Sequence, residues 1–146
     1  MLKRYTFWLK TAVIFQVLTG LIHSVSLFLT PTANDAAEAQ MLNLMMTYKM
    51  DDGGLFHPTF MNLFIALSSC FTFLCLFAAM TNAYLLFKKA EPNVMKGIIM
   101  INLLIFGPLL AVFAYLTFPP PIVCTGLIFI TLLASFVVMP KSERVG

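Results

Sequence analysis

From Thr59 to Phe87 the chain runs twenty-nine residues without a formal charge. Wound as a helix, such a run is about 43 Å long at 1.5 Å per residue, whereas the hydrocarbon core of a bilayer is only ~30 Å thick. A soluble domain cannot cover so long an apolar rod. The chain has 146 residues, one domain's worth, and 60% are hydrophobic against 10% charged; soluble domains average about 25% charged. The excess apolar surface must therefore meet lipid, and the chain belongs to the membrane class.

Three more runs are close to the ~20 residues a spanning helix needs. They cover about 9–29, 97–117 and 121–139, with 59–87 as the longest span. Excess length in that span is absorbed by tilt or by projection beyond the bilayer. Pro58 suits a first helical turn, where its missing N–H is not needed, and Lys88-Lys89 complement the negative helix end. His57 is a possible N-cap of the same span. Lys3, Arg4 and Lys10, followed by Ser24-Val25-Ser26, imitate a signal peptide. The apolar run continues through Leu27-Phe28-Leu29, however, which predicts a retained span.

The basic residues give the orientation. Lys3, Arg4, Lys10, Lys88, Lys89, Lys96, Lys141 and Arg144 fall on the side of the termini and of the 88–96 connection, and Lys49 alone on the other. Eight against one predicts cytoplasmic N and C termini, in what we expect to be a bacterial inner membrane. The net charge of +3 is then explained by lipid headgroups, and no nucleic-acid partner is expected.

The outer connection between the first two spans is about 29 residues long, beyond what a plain loop needs. It predicts a short amphipathic helix over about 35–49. Thr32, Asn34 or Asp35 can cap its start. Ala37, Met41, Leu44, Met45 and Tyr48 form an apolar stripe opposite Asp35, Asn43 and Lys49. Met41, Met45, Met46 and Met50 give that surface soft, adaptable side chains. The expected fold is thus an all-α integral membrane protein: a single four-transmembrane-helix bundle over 1–146, with a short amphipathic helix in the outer loop.

Candidate sites come from polar groups that lipid cannot solvate. Gln16, Asn82, Asn102 and Ser135 each lie some six residues from the basic end of their span, so they predict one hydrogen-bonded layer. A second layer, nearer the outer face, brings His23, Asn62, Tyr115 and Thr125 to comparable heights. His23 shares a helix face with Gln16, Thr19 and Gly20, and an intramembrane ionisable residue is a functional candidate. The candidate ligand pocket is therefore Gln16, His23, Asn62, Tyr115 and Thr125, beneath a Met-rich lid. Asp51-Asp52-Gly53-Gly54 reads as turn chemistry. The alternative is a polar or divalent-ion site of Glu38, Asp51, Asp52 and His57, which no HxxxH or HExxH spacing supports. Gly20 and Ser24, Ala66 and Cys70, Ala79 and Ala83, and Thr131 and Ser135 are small residues four apart, suited to close helix approach. Gly107-Pro108 should kink the third span, and Pro119-Pro120-Pro121 a stiff outer turn.

What is missing narrows the chemistry. No Asp, Glu, Lys or Arg lies deep in a span, so carboxylate proton pumping and voltage sensing lack their parts. Cys70, Cys75 and Cys124 form no CxxC pair and read as small buried residues. No cofactor or metal is named by any motif. With the size, the span number and the polar "LTGLIHS" end of its first span, the chain resembles the small four-span bacterial membrane proteins of uncharacterised function, including the broad DoxX-like group. That resemblance implies the bundle and its topology and carries over no catalytic residue. Emopamil-binding and sterol-isomerase-like families share a four-span bundle, but their chemistry relies on intramembrane acids that this chain lacks. We expect a non-catalytic protein that binds a lipophilic molecule in an outward-facing cavity, or docks a membrane partner or a second copy, in contact with membrane lipid. The alternatives are an enzyme acting on a lipid-like substrate through His23 or His57 with an outer-loop carboxylate, and an accessory subunit of a larger membrane complex.

Overall fold

The computed structural model describes residues 4–29, 31–51 and 54–140. It is all-helical, with α1 Tyr5–Leu27, α2 Ala36–Thr47, α3 Phe60–Phe87, α4 Pro92–Leu116 and α5 Pro119–Val137. Four of these, α1, α3, α4 and α5, are long and apolar enough to cross a membrane. Among the described residues there is no strand, only an isolated antiparallel bridge between Lys49 and Thr59.

Three of the four spanning helices, α1, α4 and α5, begin earlier than their apolar runs, because helix geometry continues into the polar rim where hydropathy does not. Lys10 and Lys96 lie inside α1 and α4, where long lysine stems let the charge reach the interface. Pro92 opens α4 and Pro119 opens α5. All three prolines at 119–121 therefore belong to the first turn of α5, whose N–H groups have no helical acceptor anyway. The expected outer turn is shorter still, reduced to Thr117 and Phe118 between the two helices.

The start of α3 corrects two expectations. Thr59, not His57, caps it: the Thr59 hydroxyl accepts from the Asn62 N–H at 3.2 Å and donates to the Asn62 side-chain oxygen. Pro58 consequently precedes the cap, with its carbonyl accepting from the Met50 N–H at 3.0 Å. A threonine hydroxyl reaches the third amide of the turn, which is why it outcompetes the imidazole.

Helix α2 is capped by Asp35, whose carboxylate accepts from the Glu38 N–H at 2.8 Å. Glu38 in return accepts from the Asn34 N–H at 2.7 Å and its side-chain amide at 2.9 Å. These reciprocal bonds satisfy donors that the first turn leaves open.

The chain divides into two compact units. Unit 1 combines the stretch through Gly20 with everything from Leu74 onward; unit 2 is Leu21–Phe73. In unit 1 all four spans contribute to one core at helical spacing: Leu9, Ala12 and Gln16 on α1; Cys75, Ala79 and Asn82 on α3; Met95, Ile99, Asn102 and Phe106 on α4; Ile128, Leu132 and Ser135 on α5. Steps of three and four residues place each set along one helix face. A Cβ on Gly20 would stand 3.1 Å from Leu76, and one on Gly107 would stand 3.1 Å from Phe129. Both glycines let a neighbouring helix approach closely. Pro108, expected to kink the third span, lies inside α4, which continues through it to Leu116. Of the small pairs, Thr131 and Ser135 are buried, whereas Ala83, Ala66 and Cys70 are exposed.

Candidate functional site

Unit 1 contains the amide cluster. The Gln16 side-chain N–H group donates to Asn102 Oδ1 at 3.3 Å, and Asn82 Nδ2 donates to Gln16 Oε1 at 3.2 Å. Asn102 Nδ2 turns back to the Ile98 carbonyl at 2.8 Å. Three helices are thereby tied at one level, as expected for amides that would otherwise meet lipid unpaired. Gln16 and Asn82 are fully buried.

Ser135 departs from the expected layer. Its hydroxyl donates to the Tyr5 carbonyl at 3.0 Å, and Tyr5 precedes Gln16 by eleven residues, or about 16 Å of rise. Counting back from Ser135 along α5, Thr125 lies ten residues away, about 15 Å, which brings it to the height of the amides rather than of the outer layer. Depth counted from the ends of the apolar runs misplaces groups on α1 and α4, which begin well before their runs, whereas α3 ends where its run does. Thr125 is fully buried, and its hydroxyl and Asn82 Oδ1 have no hydrogen-bond partner among the described residues.

In unit 2, His23 is half-buried. Its Nε2 lies 3.1 Å from the Ser68 carbonyl, and its ring meets Phe71 edge-on at 5.1 Å between centroids. A carbonyl only accepts, so Nε2 carries the proton. Thr72, one turn beyond Ser68, is buried with no partner for its hydroxyl. Asn62, expected beside His23, is exposed and engaged at the α3 cap. Tyr115 is 88% exposed. Of the five pocket candidates, the hydrogen bonds join none to another: Gln16 bonds to Asn82 and Asn102, His23 to Ser68, and Asn62 to Thr59. Ser68, Phe71 and Thr72 were missed because a backbone carbonyl and a phenyl ring carry no motif. Their spacing on one face of α3 was the available signal.

Glu38 serves the α2 cap, Asp51 and His57 are exposed, and Asp52 lies outside the described residues. Among the described residues no group of three His, Cys, Asp or Glu side chains is placed to hold a metal ion.

Two open grooves also mark unit 1. One, of about 480 Å³, is lined by Lys10, Val13 and Ile14 of α1 and Ala83, Leu86 and Phe87 of α3. The other, of about 430 Å³, is lined by Phe77, Met80, Thr81, Tyr84 and Leu85 of α3 with Val94 and Ile98 of α4.

No protein-family model, characterised protein or solved structure matches the chain. The DoxX-like resemblance therefore gains no support beyond span number and size. The fold itself is that of a four-span helical membrane protein.

Proposed function

We propose that the chain is a non-catalytic integral membrane protein whose unit 2 docks a membrane partner, with unit 1 as its self-packed anchor. The observation that carries this reading is α2, none of whose residues is buried. Met41 and Leu44 on its apolar stripe are 52% and 54% exposed. Helices of twelve residues are marginal alone, so something must cover that stripe. Helices that rest on lipid headgroups are rich in Lys and Arg on their polar face; α2 has neither, and carries Glu38 with Asp35 at its cap. An anionic bilayer surface repels that arrangement, and a protein partner does not.

A lipophilic molecule is the second form of this reading. It is favoured by the His23 ring on the Ser68 carbonyl, one helical turn before Thr72, whose buried hydroxyl has no partner among the described residues. Of the outer-loop carboxylates that the enzyme alternative could use, Asp35 and Glu38 are engaged with cap N–H groups.

A photo-reactive residue at Met45, compared with one at Ile130 on α5, tests the proposal in native membranes. Met45 should capture a discrete protein and Ile130 only lipid. Adducts of twice the chain mass would make the partner a second copy, and a small-molecule adduct at Met45 would favour the ligand form. Lipid adducts alone at both positions would sink the docking reading.

The eight-to-one distribution of basic residues supports cytoplasmic termini in a bacterial inner membrane. In a chain with Cys70, Cys75 and Cys124 replaced by Ala, an impermeant thiol reagent should label Asn34→Cys in spheroplasts and spare Glu91→Cys. The reverse pattern overturns the orientation.

A further inference from the structure

We propose that the groove between α1 and α3 is a binding site for one anionic phospholipid, with an acyl chain on its apolar floor and the phosphate on Lys10. Five of its six lining residues are apolar: Val13, Ile14, Ala83, Leu86 and Phe87. Ala83 leaves the floor low, and Leu86 and Phe87 stand beside it on the last turn of α3. The sixth is Lys10, an exposed ammonium with no carboxylate among the groove's lining residues. Lys10 lies in the second turn of α1, at the basic rim where a headgroup would lie. A basic side chain at the mouth of an inter-helix groove is suited to an anionic headgroup.

Lys88 and Lys96 are directed to aromatic rings outside this groove. Lys88 Nζ lies 5.8 Å from the centroid of the Tyr84 ring, and Tyr84 lines the other groove of α3. Lys96 Nζ lies 5.5 Å from the Phe136 ring on α5. The α3–α4 groove, of similar volume, has no charged residue in its lining. The proposal rests on unit 1 alone and stands or falls apart from the docking role of unit 2.

The test is native mass spectrometry of the full chain from mild detergent, with phosphatidylglycerol and phosphatidylcholine of identical acyl chains added in equal amount. The natural chain should retain phosphatidylglycerol about fivefold over phosphatidylcholine, the factor expected for one lysine near a membrane surface. Lys10→Gln should abolish that preference, Lys10→Arg should keep it, and Lys96→Gln, with the same charge loss, should also keep it. Ala83→Trp fills the floor and should lower retention of both lipids, while melting stays unchanged because Ala83 is exposed. A preference that survives Lys10→Gln, or falls equally in Lys96→Gln, overturns the site. Displacement of phosphatidylglycerol by inorganic phosphate would assign Lys10 to free anion and overturn it as well.

Discussion

Among the described residues, unit 2 has one buried side chain, Thr72, whereas unit 1 contains the remaining core. Yet α1 and α3 contribute to both units, and their apolar character does not change at Gly20 or Phe73. What changes is the burial of small residues. In unit 1 Gly20, Cys75, Ala78 and Ala79 are buried, with Gly20 against Leu76 and Cys75; in unit 2 Ala66 and Cys70 are exposed, as are Leu63, Phe64 and Leu67. Lipid solvates a leucine as well as another helix does, so hydrophobicity alone cannot bring two spans together in a membrane. Close contact of small residues and polar bonds can. Unit 1 has both, and unit 2 has the cross-helix bond of His23.

Truncating a phenyl ring in each unit would break that contrast or sharpen it. Phe106 is fully buried, and Phe64 is 53% exposed. An unfolded membrane chain still keeps Phe106 in lipid, so much of the transfer contribution cancels and the cavity remains. At about 24 cal/mol per Å³, roughly 100 Å³ of lost ring amounts to about 2–3 kcal/mol. Phe106→Ala should destabilise by that amount in a denaturant titration in mixed micelles, and Phe64→Ala by no more than about 0.5 kcal/mol. Equal losses would mean that unit 2 packs as well as unit 1.

The amides give a somewhat smaller effect. Gln16→Ala removes two interhelical bonds and leaves Asn82 Nδ2 and Asn102 Oδ1 unpaired. With such bonds averaging about 0.6 kcal/mol and reaching about 1.7, we expect a loss of about 1–2 kcal/mol in the same titration. Asn62→Ala removes a polar side chain of the same class from unit 2, where it serves only the α3 cap, and should cost about 1 kcal/mol at most. A larger loss at Asn62 than at Gln16 would reverse the ranking of the two units.

How far the sequence foretold this contrast depends on which physical variable set each feature. Span number followed from apolar length, and the Gln16–Asn82–Asn102 layer from depth, because a lipid-buried amide has few alternatives to a neighbouring amide. Helix ends followed less well: Lys10, Lys96 and Pro119 lie within helices although they end the apolar runs. That error carried Ser135 into a layer it does not join. Azimuth was hardest, since depth says nothing of which way a side chain points. His23 was set beside Asn62 when its partner is the Ser68 carbonyl, a group that every residue has and no motif marks. Of the three cap candidates for α2, Thr32, Asn34 and Asp35, the cap is Asp35; capping is local chemistry, which narrows the choice to a few residues.

The smallest expected effect lies at the rim of the well-packed unit. Lys89 has φ +50°, the one non-glycine with positive φ among the described residues. Its N–H bonds to the Leu86 carbonyl at 3.2 Å, and the Ala90 N–H to the Leu85 carbonyl at 3.0 Å. Those two bonds end α3 in a left-handed cap of the kind glycine usually supplies. For an L-residue the left-handed conformation costs about 1–2 kcal/mol, which glycine avoids; the extra freedom of glycine in the unfolded chain returns part of that. Lys89→Gly should therefore raise stability by about 0.5 kcal/mol. The lost charge opposes this gain, because a cation at a helix C-terminus is worth about 0.3–1 kcal/mol at low salt and less as salt screens it. The gain should accordingly grow between low and high salt in the micellar titration. A stability that falls on substitution, and falls equally at both salt concentrations, would show that the lysine side chain itself holds the cap.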